Sequence, residues 1–400
     1  LTEGDDNVFI GAGAGGSVTT AHDIIAIGNR AYDVGTTDTD NIAIGFQSMG
    51  NAYGASSNHF TATNNVAIGR NSMKNNKDSS ENVVIGHLAG ELLGQNGELR
   101  NVIIGSRAGG TTNSGTVDDN VVIGYAALGN STTRTVSESV FIGKNSGGGT
   151  LAGTARYNVA IGMNTMAGAM NGAENNVAIG NSALNSITSG IKNVVIGTSA
   201  GDSMTTMAES VCVGFSAGGA LTSGTGQNVA IGSEALSSAT SVKFVTAVGY
   251  KSLQSISASA LDANYNTAVG WSSGFNTTTG VKNTVLCANA HLENTTGADN
   301  VVIGYNAMYQ ADGNAGATSN MVVIGSGACS GAWTNFTSSN QVVIGKDAMN
   351  GALNGTANNV VIGHAAGQTL TTGQNNTLIG ASVDVDDANR AGCIIIGKGL

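Results

Sequence analysis

One five-residue phrase, Asn-Val-Ala/Val-Ile-Gly, returns 22 times between Asn7 and Gly397, with little between its copies except turn residues. Counted from one final glycine to the next, ten of the 21 intervals are 17 residues, none is shorter and the longest is 24. A unit with a fixed minimum path, to which residues are added but never removed, is one turn of a stacked coil. Seventeen residues cannot enclose a core of their own and must share one with the units above and below. The sequence therefore predicts an all-β parallel β-solenoid of about 22 coils, with residues 1–400 forming a single continuous repeat domain. At about 4.8 Å per stacked strand, such a stack would be on the order of 100 Å long.

Composition agrees. The chain has no proline, whose missing N–H would break a ladder, and 60 glycines, which supply tight corners. Charged residues make up only 10% and the formal net charge is −10. Without a basic run to neutralise phosphates, a nucleic-acid partner is not expected. No apolar run reaches the length of a membrane-spanning helix, so membrane insertion is not expected either. The first residue is Leu1 and the last, Leu400, closely follows a repeat strand, which leads to the expectation of a processed product or of one part of something longer.

Within the phrase, the first strand residue is Val or Ile in 18 copies and Thr in four (Thr246, Thr267, Thr284, Thr377), and the last is Ile in 18. These two positions share a face of the strand and are expected to line the inside of the coil. The middle residue is apolar in every copy, from Ala26 and Ala43 to Leu378 and Ile395. Such a second stripe exceeds what a monomer exposes. It is expected to form the seam of a homotrimer, and apolar, uncapped ends would also permit end-to-end assembly.

Asn precedes the strand in 15 copies, where it either forms an amide ladder or caps the entering turn. A small residue stands three places after the glycine in 20 copies. The next place often holds Met, Leu or Gly, read as a plug ending a second short strand.

Phrases such as Asn65-Val-Ala-Ile-Gly69, Asn158-Val-Ala-Ile-Gly162 and Asn228-Val-Ala-Ile-Gly232 resemble the repeats of YadA-like heads of trimeric autotransporter adhesins. Asn300-Val-Val-Ile-Gly-Tyr-Asn-Ala-Met308 and Asn266-Thr-Ala-Val-Gly270 resemble those of phage tail-fibre repeat proteins. The resemblance covers nearly the whole chain and implies a trimeric left-handed parallel β-roll. Repeats longer and more variable than those of adhesin heads favour the phage-fibre branch. Neither a coiled-coil stalk with membrane-anchor strands nor a particle-attachment or chaperone region is recognisable within the 400 residues. The resemblance implies a structural, adhesive shaft on a virion surface, or alternatively on a bacterial or extracellular surface, with a cell-surface glycan or protein as receptor. An ice-binding or matrix solenoid would need a regular Thr face, whereas Thr here is concentrated between the repeats.

Nothing in the sequence points to catalysis, a cofactor or a metal. The histidines His22, His59, His87, His291 and His364 are scattered, and no nucleophile elbow, zinc-ligand spacing or phosphate loop occurs. Cys212, Cys287, Cys329 and Cys393 show no paired spacing, and Cys212 and Cys287 read as small buried apolar residues. Acidic clusters at Asp5-Asp6, Asp38 and Asp40, Asp118-Asp119 and Asp384 to Asp387 fit turn chemistry, with calcium as the other reading.

Aromatic residues are few. Phe46, Tyr125, Phe215, Tyr250, Trp271 and Tyr305 each follow a repeat glycine, where they would either stack on a ligand such as sugar or cover the apolar corner of the coil. Tyr53, His59, Phe60, Tyr309, Trp333 and Phe336 sit in the longer insertions. These are the candidate receptor-contact residues, because variable loops on a rigid scaffold usually carry binding.

Overall fold

A computed structural model describes residues 1–400 except 1–3, 34–36, 51–61, 75–77, 92, 94–98, 111–115, 130–134, 151–152, 225, 258–263, 310–317, 332–337, 352 and 400. Among the described residues there is no helix. Every copy of the phrase forms a three-residue strand, from Val8–Ile10 to Ile394–Ile396. The protein is a parallel β-solenoid. By contact density it divides into two compact units, Leu1–Thr206 and Met207–Leu400, each holding eleven of these strands.

Within each unit the strands stack in parallel and in register, so that equivalent residues meet. In the first unit Val159, Ala160 and Ile161 pair with Val177, Ala178 and Ile179, and these pair with Val194, Val195 and Ile196. In the second unit Val322, Val323 and Ile324 pair with Val342, Val343 and Ile344.

The two strand faces are the reverse of the sequence expectation. The middle residues Ala26, Ala67, Ile103, Phe141, Ala178, Val195, Ala230, Val323 and Leu378 are fully buried, whereas the Val and Ile that flank them are half-buried and face outward. The reason lies in the residue before the strand. Alternation places Asn on the same side as the middle residue, and the amides of Asn41, Asn65, Asn82, Asn101 and Asn120 are inside.

They form the amide ladder. Asn65 Nδ2 donates to Asn41 Oδ1 at 3.1 Å, Asn82 to Asn65 at 3.2 Å, Asn101 to Asn82 at 3.0 Å and Asn120 to Asn101 at 3.1 Å. Each Oδ1 also accepts the backbone N–H of the next Asn, so buried amides are satisfied by their own neighbours.

The interior is completed by size compensation between the middle residue and the residue four places after the glycine. Where the middle residue is Ala (Ala67, Ala160, Ala178, Ala230), the other is Met73, Met166, Leu184 or Leu236, all buried. In several coils where it is larger (Val84, Ile103, Phe141, Val195, Val361), the other is glycine. A Cβ on Gly147 would lie 2.5 Å from the Phe141 ring, and one on Gly109 would lie 2.8 Å from Ile103 Cδ1. In these coils a large residue at one position is matched by a small one at the other, whereas Val122 with Leu128 and Val302 with Met308 are two large residues and Ala268 with Gly274 two small ones.

The corner is set by backbone conformation. The repeat glycines from Gly11 to Gly380 have φ between +126° and +146°, and they stack so closely that a Cβ on Gly86 would lie 2.5 Å from the Gly105 carbonyl oxygen. Cys287, the one residue replacing a repeat glycine, takes φ +93° and is exposed, which corrects its reading as a buried residue. Cys212 is buried as expected, and burial pushes its thiol up to about 12.

After the corner come turns rather than a second strand. The short second strands lie before the Asn, at Val117–Asp118, Val136–Ser137, Ala155–Arg156 and Ala173–Glu174, and they form their own parallel sheet.

Candidate functional site

Three outward features remain once the interior is assigned: the apolar stripe, two rows of left-handed turn residues, and the edge that follows the repeat glycines.

The stripe consists of two parallel rows, Val or Ile from the first strand position and Ile from the last. They run through all eleven strands of the first unit, and in the second unit the first row is interrupted by the consecutive Thr246, Thr267 and Thr284 and again by Thr377. Ile231 and Val269 are each 39% exposed.

The residue five places before each repeat glycine is left-handed: Asp40, Asn64, Glu81, Arg100 and Asp119 have φ of 56–61°. This conformation aims the side chain outward, where it meets its counterparts one coil away. Arg100 Nε and Nη2 bind Asp119 at 2.6 and 2.9 Å, Phe244 stacks on Tyr265 with centroids 5.2 Å apart, and Asn340 donates to Asn358, which donates to Asn375. The acidic clusters are largely engaged in such turn and capping contacts. Asp118 Oδ1 accepts the Leu99 N–H, Asp384 accepts the Thr369 N–H, and Asp386 pairs with Arg390. Among the described residues no group of three or more His, Cys, Asp or Glu is arranged to hold a metal.

Two buried ionisable groups are absorbed into the interior rather than into a site. His291 occupies the plug position that holds Met or Leu in other coils. It is fully buried, Thr277 Oγ1 lies 3.4 Å from its Nδ1, and burial lowers it to about 4. Asp38 is buried beside Tyr32, whose hydroxyl donates to its Oδ2 at 2.9 Å. Desolvation raises Asp38 to about 7, against the opposing effect of that hydrogen bond.

The signs are opposite. The folded chain holds His291 neutral, so stability present above pH 6.5 is lost as pH falls toward 4. Asp38 is held protonated, so stability present below about pH 4 is lost as pH rises toward 7. His291→Met is expected to remove the acid-side loss and Asp38→Asn the alkaline-side loss, each on the order of 3 kcal/mol, read from denaturant melts across pH 4–8. A variant whose melts keep the wild-type slope would show that the group is not the cause.

Of the six insertion residues expected to contact a receptor, Tyr53, His59, Phe60, Trp333 and Phe336 lie outside the described residues. Tyr309 is described and half-buried. The edge aromatics are exposed: Phe46 42%, Tyr125 49%, Phe215 55%, Trp271 54% and Tyr305 57%. Tyr250 stacks on Trp271 with centroids 6.0 Å apart, and Lys251 Nζ sits 5.2 Å from the Tyr250 ring centre.

Tyr309 and Tyr305 meet at an open groove of about 330 Å³, which Asn306, Ser326, Gly327, Ser330 and Asp347 complete. These come from three successive coils. Sequence reading singled out the two tyrosines separately and missed the polar partners. The signal that would have found them is Gly327, a glycine in the place where the preceding and following coils carry Asn306 and Asp347.

These features define a repeat solenoid with one apolar face and one decorated edge. No known protein family matches the chain, and no curated protein matches it in sequence.

Proposed function

We propose that this chain is a non-enzymatic structural and adhesive shaft: a homotrimeric segment of a bacteriophage fibre that serves as a rigid spacer and carries surface-contact residues on its edge. The observation that supports this reading is the pair of Val/Ile rows facing outward. A threefold axis parallel to the stack brings equivalent coils of the three copies to one level, where the rows of one copy meet those of the next, and closure by three copies buries both rows. Within each unit the in-register pairing keeps equivalent residues in one row, so the same kind of contact recurs from coil to coil.

The shared coil motif supports a second reading, the head of a bacterial surface adhesin or an extracellular filament subunit. Intervals of up to 24 residues between copies favour the fibre. The mass of the native assembly by light scattering tests the reading. A value near three times 39.7 kDa is expected. A monomer would overturn it, and far larger species would favour the filament.

A further inference from the structure

The groove at Gly327 is built by an interruption. Along the row two places after the repeat glycine, side chains hydrogen-bond from coil to coil: Asn289 Nδ2 donates to Asn306 Oδ1 at 3.1 Å. Asn306 Nδ2 should in turn reach the same row of the next coil, but that place is Gly327, which has no side chain to receive it. One coil further on, the Asp347 carboxylate leans over Gly327, into the space a side chain there would take, and its ion pair among the described residues is with Lys346 Nζ, at 3.8 Å.

The backbone runs through undisturbed. Gly327 N–H donates to the Tyr305 carbonyl at 2.9 Å and Asp347 N–H to the Ser326 carbonyl at 2.9 Å. The notch therefore has a rigid floor, is one coil wide, and spans about 9.6 Å between the coils on either side. It presents an amide donor from one wall, a carboxylate acceptor from the other, the Ser326 hydroxyl, the Ser330 oxygen, whose own proton goes to Asn350 Oδ1, and the rings of Tyr305 and Tyr309. Its volume falls at the lower end of the range for small-molecule sites, about 300–1,000 Å³.

We propose that this notch is a saccharide subsite. A pyranose has an apolar C–H face that stacks on an aromatic ring and an equatorial edge of hydroxyls that both donate and accept. Tyr305 takes the C–H face, the Asp347 carboxylate accepts from hydroxyls in charge-assisted bonds, and Asn306 Nδ2 donates to a ring or hydroxyl oxygen. The hydroxyl-rich lining favours a polyol over a quaternary ammonium, which would need further rings in place of Ser326 and Ser330.

The subsite deepens the fibre reading by naming the class of its receptor, and it rests on that reading only for its use. Assembly mass decides the one and ligand binding the other.

The test is saturation-transfer NMR on the full chain in its native assembly, with lactose, maltotriose and N,N′-diacetylchitobiose as probes and tetramethylammonium as the competing chemistry. Gly327→Asn refills the notch by turning aside the Asp347 carboxylate that leans over the glycine, and it adds no backbone strain, because Asn already occupies this left-handed place at Asn145, Asn164, Asn289 and Asn306 with φ of 53–55°. Transfer to at least one sugar is expected in the wild type, with affinity falling at least about tenfold in Gly327→Asn and in Asp347→Ala. The proposal is overturned if no sugar responds above the Gly327→Asn background. It is equally overturned if tetramethylammonium alone gives transfer sensitive to that substitution.

Discussion

Aspartate at position 178 is expected to unfold the coils around it, whereas aspartate at the adjacent position 179 is expected to leave them folded and to dissolve the assembly. Ala178 is fully buried between Ala160 and Val195, among apolar atoms that offer a carboxylate no partner. An unpaired charge there costs several kcal/mol even after its proton is taken up. Ile179 faces outward, and in a single chain Ile179→Asp costs no more than about 1 kcal/mol.

In the proposed trimer the same residue recurs three times around the axis at one level. Ile161→Asp with Ile179→Asp would therefore place six carboxylates in two layers of the seam. Circular dichroism should show native β-structure for this double variant, and light scattering should give a mass near 39.7 kDa. Retention of the wild-type mass would refute the seam, and a folded Ala178→Asp protein would refute the interior.

The second large effect concerns the corner. Gly180→Ala is expected to destabilise the first unit by about 4 kcal/mol or more, for two separable reasons. The residue sits at φ +136°, and its new methyl group would lie 2.5 Å from the Gly197 carbonyl oxygen and 2.7 Å from its carbon. Those atoms belong to the next corner, which is held by the corner beyond it, so the stack offers no local relief. Gly224→Ala isolates the first reason. It has φ +120°, but among the described residues its Cβ would meet only Lys243 Cε, at 3.6 Å, and the change should cost about 1–2 kcal/mol from backbone strain alone. Denaturant midpoints for the two variants give the comparison. Equal losses would mean that the close stacking of corners contributes nothing.

The coil, its count and its corners were legible because a period of 17 residues and a terminal glycine admit few other structures. The orientation of the strand was not read correctly. Val and Ile look like core residues, and they drew the inside of the coil toward themselves. Two signals pointed the other way. Asn stands two places before the middle residue and so shares its face, and Phe141 is matched by Gly147 where Ala178 is matched by Leu184. That second signal is a correlation between positions six residues apart, which face each other across an enclosed space. It becomes interpretable only when the chain is known to fold back across a narrow interior. The groove was harder still to read, since its parts are 42 residues apart from Tyr305 to Asp347 and its defining element is an absent side chain.

Strict register has one more consequence. Because Val159–Ile161 and Val194–Ile196 present the same groups to the strand between them as that strand presents to each, excising residues 163–180 would bring Val159–Ile161 against Val194–Ile196 with Val facing Val again. The chain can thus gain or lose whole turns while every remaining contact keeps its type. Copy number then behaves as a ruler, setting reach in increments of one strand spacing, independently of whatever the edge residues have come to recognise.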